Sequence, residues 1–124
     1  MVTNINQLDF TKQYTYADYL TWGFDERVEL FRGWINRMSP APLRIHQRIT
    51  SKLNFQIEGY MLNKKCEVYP APFDVRLTNK RKSVPNKSII SVVQPDISVI
   101  CDVDKLDEKG CIGAPDWVIE ILSP

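Results

Sequence analysis

The stretch VVQPDISVIC, residues 92–101, decides how this chain reads. It is an apolar run with a proline and a carboxylate, Pro95 and Asp96, set in its middle. Read as one strand, its side chains alternate between two faces. Val93, Pro95, Ile97, Val99 and Cys101 fall on one side, and Gln94, Asp96 and Ser98 on the other. Asp96 therefore has polar neighbours on its own face.

A second apolar run, APDWVIEILSP at 114–124, repeats the pattern. Its segment 116–122 is apolar on both faces, as expected of a central strand. Glu120 shares a face with Val118 and Leu122. A lone ionised carboxylate there costs several kcal/mol unless it is paired or binds a metal. Two strand carboxylates brought together repel, and a divalent cation relieves the repulsion. Hard oxygen ligands suit Mg²⁺ or Mn²⁺. The plainer reading of either residue alone is a surface or paired carboxylate. Asp116 follows Pro115, which points to a turn or strand-entry role. Asp74 lies on an alternating strand, where it is either solvated, associated with Arg76, or part of the site.

Working outward, residues 14–23 (YTYADYLTWG) read as a short helix with Thr15 as cap and Gly23 as stop. Residues 27–40 (RVELFRGWINRMSP) hold two β-prone runs around Arg32-Gly33, which predicts a hairpin. Residues 44–66 carry the one long helical pattern, with Ile45, Ile49, Leu53, Ile57, Tyr60 and Met61 forming one stripe at ~100° per residue. Extended segments follow. The order predicts an α+β or α/β-like fold with a mixed sheet.

His46 falls inside the helical stripe. A core histidine bonded to a neighbouring segment is one reading. The other puts the start of the long helix beside the metal site, where His46 contacts a phosphate or moves a proton. The loop 78–88 (TNKRKSVPNKS) gathers Lys80, Arg81, Lys82 and Lys87. Its default role is solvation, and its functional one is a sequence-blind grip on a nucleic-acid backbone.

The bulk numbers set bounds. At 124 residues the chain is one domain or part of one. A net charge of +1 gives no global field toward nucleic acid or membrane, so any polyanion binding must come from local clusters. The 3 cysteines are odd in number and include no C-x-x-C pair, which argues against a disulfide framework or four-cysteine zinc site and for a reduced, cytoplasmic setting. The N-terminus has no apolar signal core, and no run approaches the ~20 apolar residues of a membrane span.

Several of these segments together resemble the Uma-two family of restriction-endonuclease-like proteins, within the PD-(D/E)xK nuclease superfamily. The matching segments are YTYADYL, VELFRGWINRMSPAPLRIHQRI, APFDVRL, VVQPDISVI and GAPDWVIEILSP, in that order, covering most of the chain. The resemblance implies a restriction-endonuclease-like core, with a mixed central sheet and one long helix preceded by a short helix and a hairpin. It also implies a magnesium site and phosphodiester cleavage. Asp96 matches the family's Pro-Asp carboxylate and Glu120 its following acidic ligand. Glu29 matches an acidic position in the first hairpin, although on its own it reads as a hairpin surface residue. His46 matches the family's His-Gln after the SPAP segment.

The departures also matter. The superfamily pattern places a lysine two residues after the second acid, where this chain has Leu122. Many relatives carry that lysine on a following helix, so the chain reads as a single, C-terminally incomplete domain spanning 1–124. Trp34 stands where many relatives have an acid. The expectation is a Mg²⁺- or Mn²⁺-dependent endonuclease domain acting on DNA, weak or inactive without the lysine. The alternative is a non-catalytic nucleic-acid-binding or regulatory module on the same fold. A third expectation is a homodimer through an exposed sheet edge.

Overall fold

The computed structural model describes residues 1–38, 43–79 and 84–122. The chain folds as mixed α+β, with two α-helices and nine strands in two sheets among the described residues. α1 is a single turn, Tyr16–Tyr19. Thr15 caps it in a reciprocal box with Asp18, each side chain meeting the other's backbone N–H. The hairpin follows, β1 (Val28–Phe31) with β2 (Trp34–Arg37). Its turn places Arg32 at φ 50° and Gly33 at φ 90°, the positive pair that matches the twist of the flanking strands. Gly33 is also needed for space, because a side chain there would meet Tyr14 O at 3.0 Å.

α2 spans Arg44–Met61. After it come β3 (Glu67–Pro70), β4 (Asp74–Arg76), β5 (Val92–Val93), β6 (Ile97–Ile100), β7 (Leu106–Asp107), β8 (Gly110–Ile112) and β9 (Trp117–Ile119). One sheet runs β2-β1-β5-β4-β8-β7 and is mixed, with β4 and β8 parallel and the other pairs antiparallel. The other is the antiparallel trio β3-β6-β9. Val75 and Cys111 of the larger sheet pack with Ile100 of the smaller, so the two share a core. This is the mixed sheet, long helix and N-terminal hairpin of a restriction-endonuclease-like fold.

Four expectations need correction. The segment 92–101 is not one strand. It pairs in the larger sheet as β5, breaks at residues 94–96, and pairs again in the smaller sheet as β6. Pro95 lacks an N–H and cannot continue a ladder, so the break falls there. β6 is then buried on both faces, Ser98 included, so Gln94, Asp96 and Ser98 do not share one face of a single strand.

The reverse holds at 116–122. Only Trp117–Ile119 pair, and among the described residues they form an edge. Trp117 and Val118 are about half exposed, so apolar content on both faces did not mark a central strand.

The third correction concerns the cysteines. Cys66 and Cys101 form a disulfide, and Cys111 is free and buried. An odd count allows one pair plus a spare. The antiparallel register sets Glu67 opposite Ile100, so the next pair outward is Cys66 with Cys101.

The helical stripe also rotates. Ile45 and Ile49 are exposed, while His46, Thr50, Leu53, Asn54 and Met61 are partly covered and Ile57 is buried. At ~100° per residue, Ile45 lies about 120° around the helix from Ile57, and His46 only about 20° from it. Residues spaced by four drift about 40° per step, so the apolar row leaves the contact line toward the helix start. The contact line arrives there at His46.

Candidate active site

Asp96 opens β6, where the chain leaves one sheet for the other. Its backbone C=O accepts from the Ala71 N–H at 2.9 Å, which carries the β3–β6 pairing up to this residue. Its side chain is 14% exposed and engaged. Oδ2 accepts the Ile121 N–H at 2.8 Å and lies 3.4 Å from His46 Nε2. The rotated face of α2 is what delivers His46 to this point.

Register brings Glu120 to the same place. β6 and β9 pair with Ile97 opposite Ile119, so the residue after β9 arrives beside the residue before β6. Glu120 is exposed and not the enclosed strand residue its sequence suggests, yet partial desolvation, then the negative charge of Asp96, then that of Glu29, raise its carboxyl above the ordinary range. A hydrogen bond between the Asp96 and Glu120 side chains raises it further, while the Asp96 N–H acts the other way. Strand register and electrostatics both set the two carboxyls side by side.

Glu29 is half-buried on β1 and is not the solvated hairpin residue its local sequence suggests. Its Oε2 accepts the Gln94 backbone N–H at 2.8 Å, and its Oε1 accepts from Asn36 Nδ2 at 3.3 Å. Asn36 sits directly opposite it in the hairpin. Glu29, Asp96, Glu120 and His46 thus come together from β1, the β5–β6 break, the end of β9 and the first turn of α2.

Sequence reasoning missed the group that holds this arrangement. Gln94 is buried in the strand break. Its Nε2 donates to Asp74 Oδ1 and to the Tyr19 hydroxyl, each at 2.9 Å, and its Oε1 accepts from Arg27 Nε at 2.8 Å. Asp74 also accepts the Tyr16 hydroxyl on Oδ2 at 2.9 Å and the Tyr19 hydroxyl on Oδ1 at 3.2 Å. Burial first, and then the Asp74 charge, push both phenols well above the usual tyrosine range. The available signal was a buried-strand context with an amide immediately before Pro-Asp. A buried amide must find partners on every side.

Two clefts flank the carboxylates. One of about 700 Å³ reaches from Glu29 and Glu120 past Phe31, Leu77, Val93 and Trp117. The other, about 470 Å³, holds Asp96 with Arg27, His46, Thr50 and Asn54. Among the described residues, no lysine lines either one. Lys105 Nζ is bound to the Ala114 carbonyl at 2.9 Å. Asp116 accepts the Cys101 N–H on Oδ2 at 2.6 Å and so ties the entry of β9 to the end of β6. Lys87 lies exposed in a 3₁₀ turn and lines neither cleft. Lys80, Arg81 and Lys82 lie outside the described residues. Among the described residues, no group of three or more His, Cys, Asp or Glu is arranged to enclose a metal ion.

A family model for Uma2, described as a putative restriction endonuclease, matches residues 16–124. The chain belongs to the Uma2 family. No curated protein matches it. The Uma2 match begins at the first residue of α1. It therefore contains Glu29, His46, Asp96 and Glu120 together with the Tyr16–Tyr19–Asp74–Gln94 network that stands behind them. Among the described residues, no helix of this Uma2 chain is long and apolar enough to cross a membrane.

Proposed function

We propose that this Uma2 domain is a Mg²⁺- or Mn²⁺-dependent endonuclease acting on DNA phosphodiesters, with Asp96 and Glu120 as the metal ligands and Glu29 beside them. The observation that carries this reading is the β6–β9 register, which sets Asp96 and Glu120 of distant segments side by side, with the charge of Asp96 raising the proton affinity of Glu120. Like charges held together need a proton or a cation. The donor set fits a hydrated ion of the magnesium type, which takes one or two carboxylates and fills its remaining positions with water and substrate phosphate. It does not fit an all-protein cage.

A bound divalent ion supplies Lewis acidity at a phosphate oxygen. The chain's own residues do the rest. The Ile121 N–H and His46 fix the Asp96 carboxylate in one orientation. The Gln94 N–H fixes Glu29. Glu120, with its raised proton affinity, takes up a proton more readily than an ordinary carboxyl, and a bound cation would favour its ionised form. His46 Nε2 stands where a proton can be exchanged with the carboxylate pair.

Leu122 occupies the position of the superfamily lysine and is 89% exposed, and no lysine among the described residues lines either cleft. Losing one preorganised donor to developing charge typically costs about 10²–10³ in rate. We therefore expect weak cleavage from this 124-residue chain. The same observation favours a second reading, a nucleic-acid-binding or regulatory module that binds metal without cutting.

A plasmid-nicking assay with Mg²⁺ or Mn²⁺ separates the two, run on wild type, Glu120→Ala and Leu122→Lys. Slow nicking that Glu120→Ala abolishes, and that Leu122→Lys increases, supports the nuclease. Metal binding with no nicking by any of the three selects the second reading.

A further inference from the structure

The cleft that holds Asp96 contains a cation the metal reading leaves unused. Arg27 is half-buried there. Its Nε donates to Gln94 Oε1 at 2.8 Å and its Nη2 to the Gln94 carbonyl at 3.4 Å, both neutral acceptors. Among the described residues the side-chain ion pairs are His46–Asp96 and Arg76–Asp107, so Arg27 has no carboxylate partner. A guanidinium carries five N–H donors in a rigid fork matched to phosphate. Gln94 occupies only one side of that fork. A partly desolvated cation without a counter-ion favours the arrival of an anion.

The rest of the cleft agrees with such a ligand. Among the described residues, its lining sets the polar side chains His46, Gln47, Thr50, Ser51 and Asn54 along one face of α2, facing Pro70, Ala71 and Pro72. Asn54 Oδ1 is buried and has no donor. The one anion in the lining, Asp96, already has its Oδ2 covered by the Ile121 N–H and His46. A volume of about 470 Å³ is that of a small-ligand site.

We propose that this cleft is a phosphate-binding subsite for the nucleotide adjoining the cleaved bond. Arg27 holds its phosphate, and the polar face of α2 from His46 to Asn54 meets its sugar and base. The proposal rests on the nuclease reading, because that reading brings a nucleic-acid strand to Asp96. It adds a residue on the loop before β1 and a direction: the strand leaves the carboxylates along α2.

The test is an NMR titration of the whole chain without divalent metal. The probes are inorganic phosphate, deoxycytidine 5′-monophosphate and uncharged deoxycytidine, read at the His46 ring and the Asn54 side-chain amide. The monophosphate should shift both signals saturably, phosphate should shift His46 more weakly, and deoxycytidine should shift neither. Arg27→Gln should weaken monophosphate binding at least tenfold, as expected for loss of a charged hydrogen bond, and Arg27→Lys should recover part of it. Gln47→Glu adds a negative charge at an exposed position in the lining and should weaken it roughly five- to tenfold. That variant carries the test if Arg27→Gln fails to fold. Absence of saturable shifts, or wild-type affinity in Gln47→Glu, overturns the proposal. Equal affinity for phosphate and monophosphate overturns its nucleotide part. Because no metal is present, the result is separable from cleavage. A chain that nicks plasmid yet fails this titration keeps the nuclease and loses the subsite. A chain that binds the monophosphate and never cleaves does the opposite.

Discussion

Replacing Tyr16 by Phe should destabilise the fold by about 2–3 kcal/mol, a large effect for the loss of one oxygen. Tyr16 is fully buried, and its ring packs with Leu30, Ile89, Val92 and Ile112. Phenylalanine preserves that packing. What disappears is the hydroxyl that donates to Asp74 Oδ2 at 2.9 Å. Asp74 keeps the Gln94 amide and the Tyr19 hydroxyl, but both of those donate to Oδ1. The other oxygen of a half-buried carboxylate loses its donor. Hydrogen bonds to charged groups contribute about 1.5–3 kcal/mol, and the orphaned oxygen puts this one in the upper part of that range. With an unfolding entropy of about 2.1 cal/mol/K per residue, the melting temperature should fall by about 8–11 °C. Circular dichroism melts at pH 7 measure it. A second arm is alkaline. A phenol whose folded pKa is raised contributes stability that is complete below the unfolded value, about 10, and is lost as pH rises through the folded value. Wild type should therefore weaken above pH ~10, and Tyr16→Phe should weaken less steeply there. A melting shift under about 2 °C, with unchanged alkaline behaviour, would mean that the Tyr16–Asp74 bond does not support the centre of the fold.

Mg²⁺ or Mn²⁺ at millimolar concentration should raise the melting temperature, by about 2.7 kcal/mol of stabilisation at a hundredfold excess over Kd. Asp96→Ala or Glu120→Ala should remove the rise, and an unchanged wild-type midpoint would refute the metal site. Glu120 has a raised carboxyl pKa, so its stabilising proton is present at acid pH and lost as pH climbs through the folded value. Without metal, Glu120→Gln should thus melt above wild type at pH 7, and the gap should close as pH falls toward 4; a variant that melts lower at pH 7 contradicts this. Reducing the Cys66–Cys101 bridge, which closes a loop over a separation of 35 residues, should cost about 3–4 kcal/mol in urea unfolding. Intact-mass measurement with and without reductant establishes the bridge itself.

Local pattern carried the N-terminal half of the fold. Thr15 and Asp18, Arg32-Gly33 and the long run from Arg44 each express their structure within a few residues. Caps, positive-φ turns and helical periodicity are short-range physics. The strands of the C-terminal half were legible as extended segments but not as sheet positions. Whether 92–101 is central or 116–122 is an edge depends on which neighbours arrive, and neither segment contains that information. Pro95 offered the local clue, since a proline in an apolar run argues against an uninterrupted ladder. The disulfide was hidden for the same reason. Cys66 and Cys101 become partners only once β3 and β6 take their register.

The site shows how far one short signal reaches. Asp96 and Glu120 stood out because each is a carboxylate in an apolar run, where a buried charge would demand a partner; the structure covers Asp96 and leaves Glu120 exposed. That argument names the residues without placing them. Placement comes from the strand break, and the break is held by Gln94. Its backbone N–H fixes Glu29, its side chain binds Asp74, Tyr19 and Arg27, and its neighbour Pro95 turns the chain toward β6. One amide therefore couples the stability of the α1–β4 core to the position of a candidate catalytic carboxylate. Gln94→Leu would keep much of the volume and remove every side-chain bond, leaving the Asp74, Tyr19 and Arg27 partners to water or to one another. It should lower stability and also loosen Glu29, because the N–H that holds Glu29 belongs to the same residue. Gln94→Glu is the sharper case. It retains an acceptor for Arg27 but sets a carboxylate against Asp74, and like charges in a partly buried pocket repel. If Gln94→Glu folds as stably as wild type at pH 7, the network is not the hinge on which the two sheets and the carboxylates are joined.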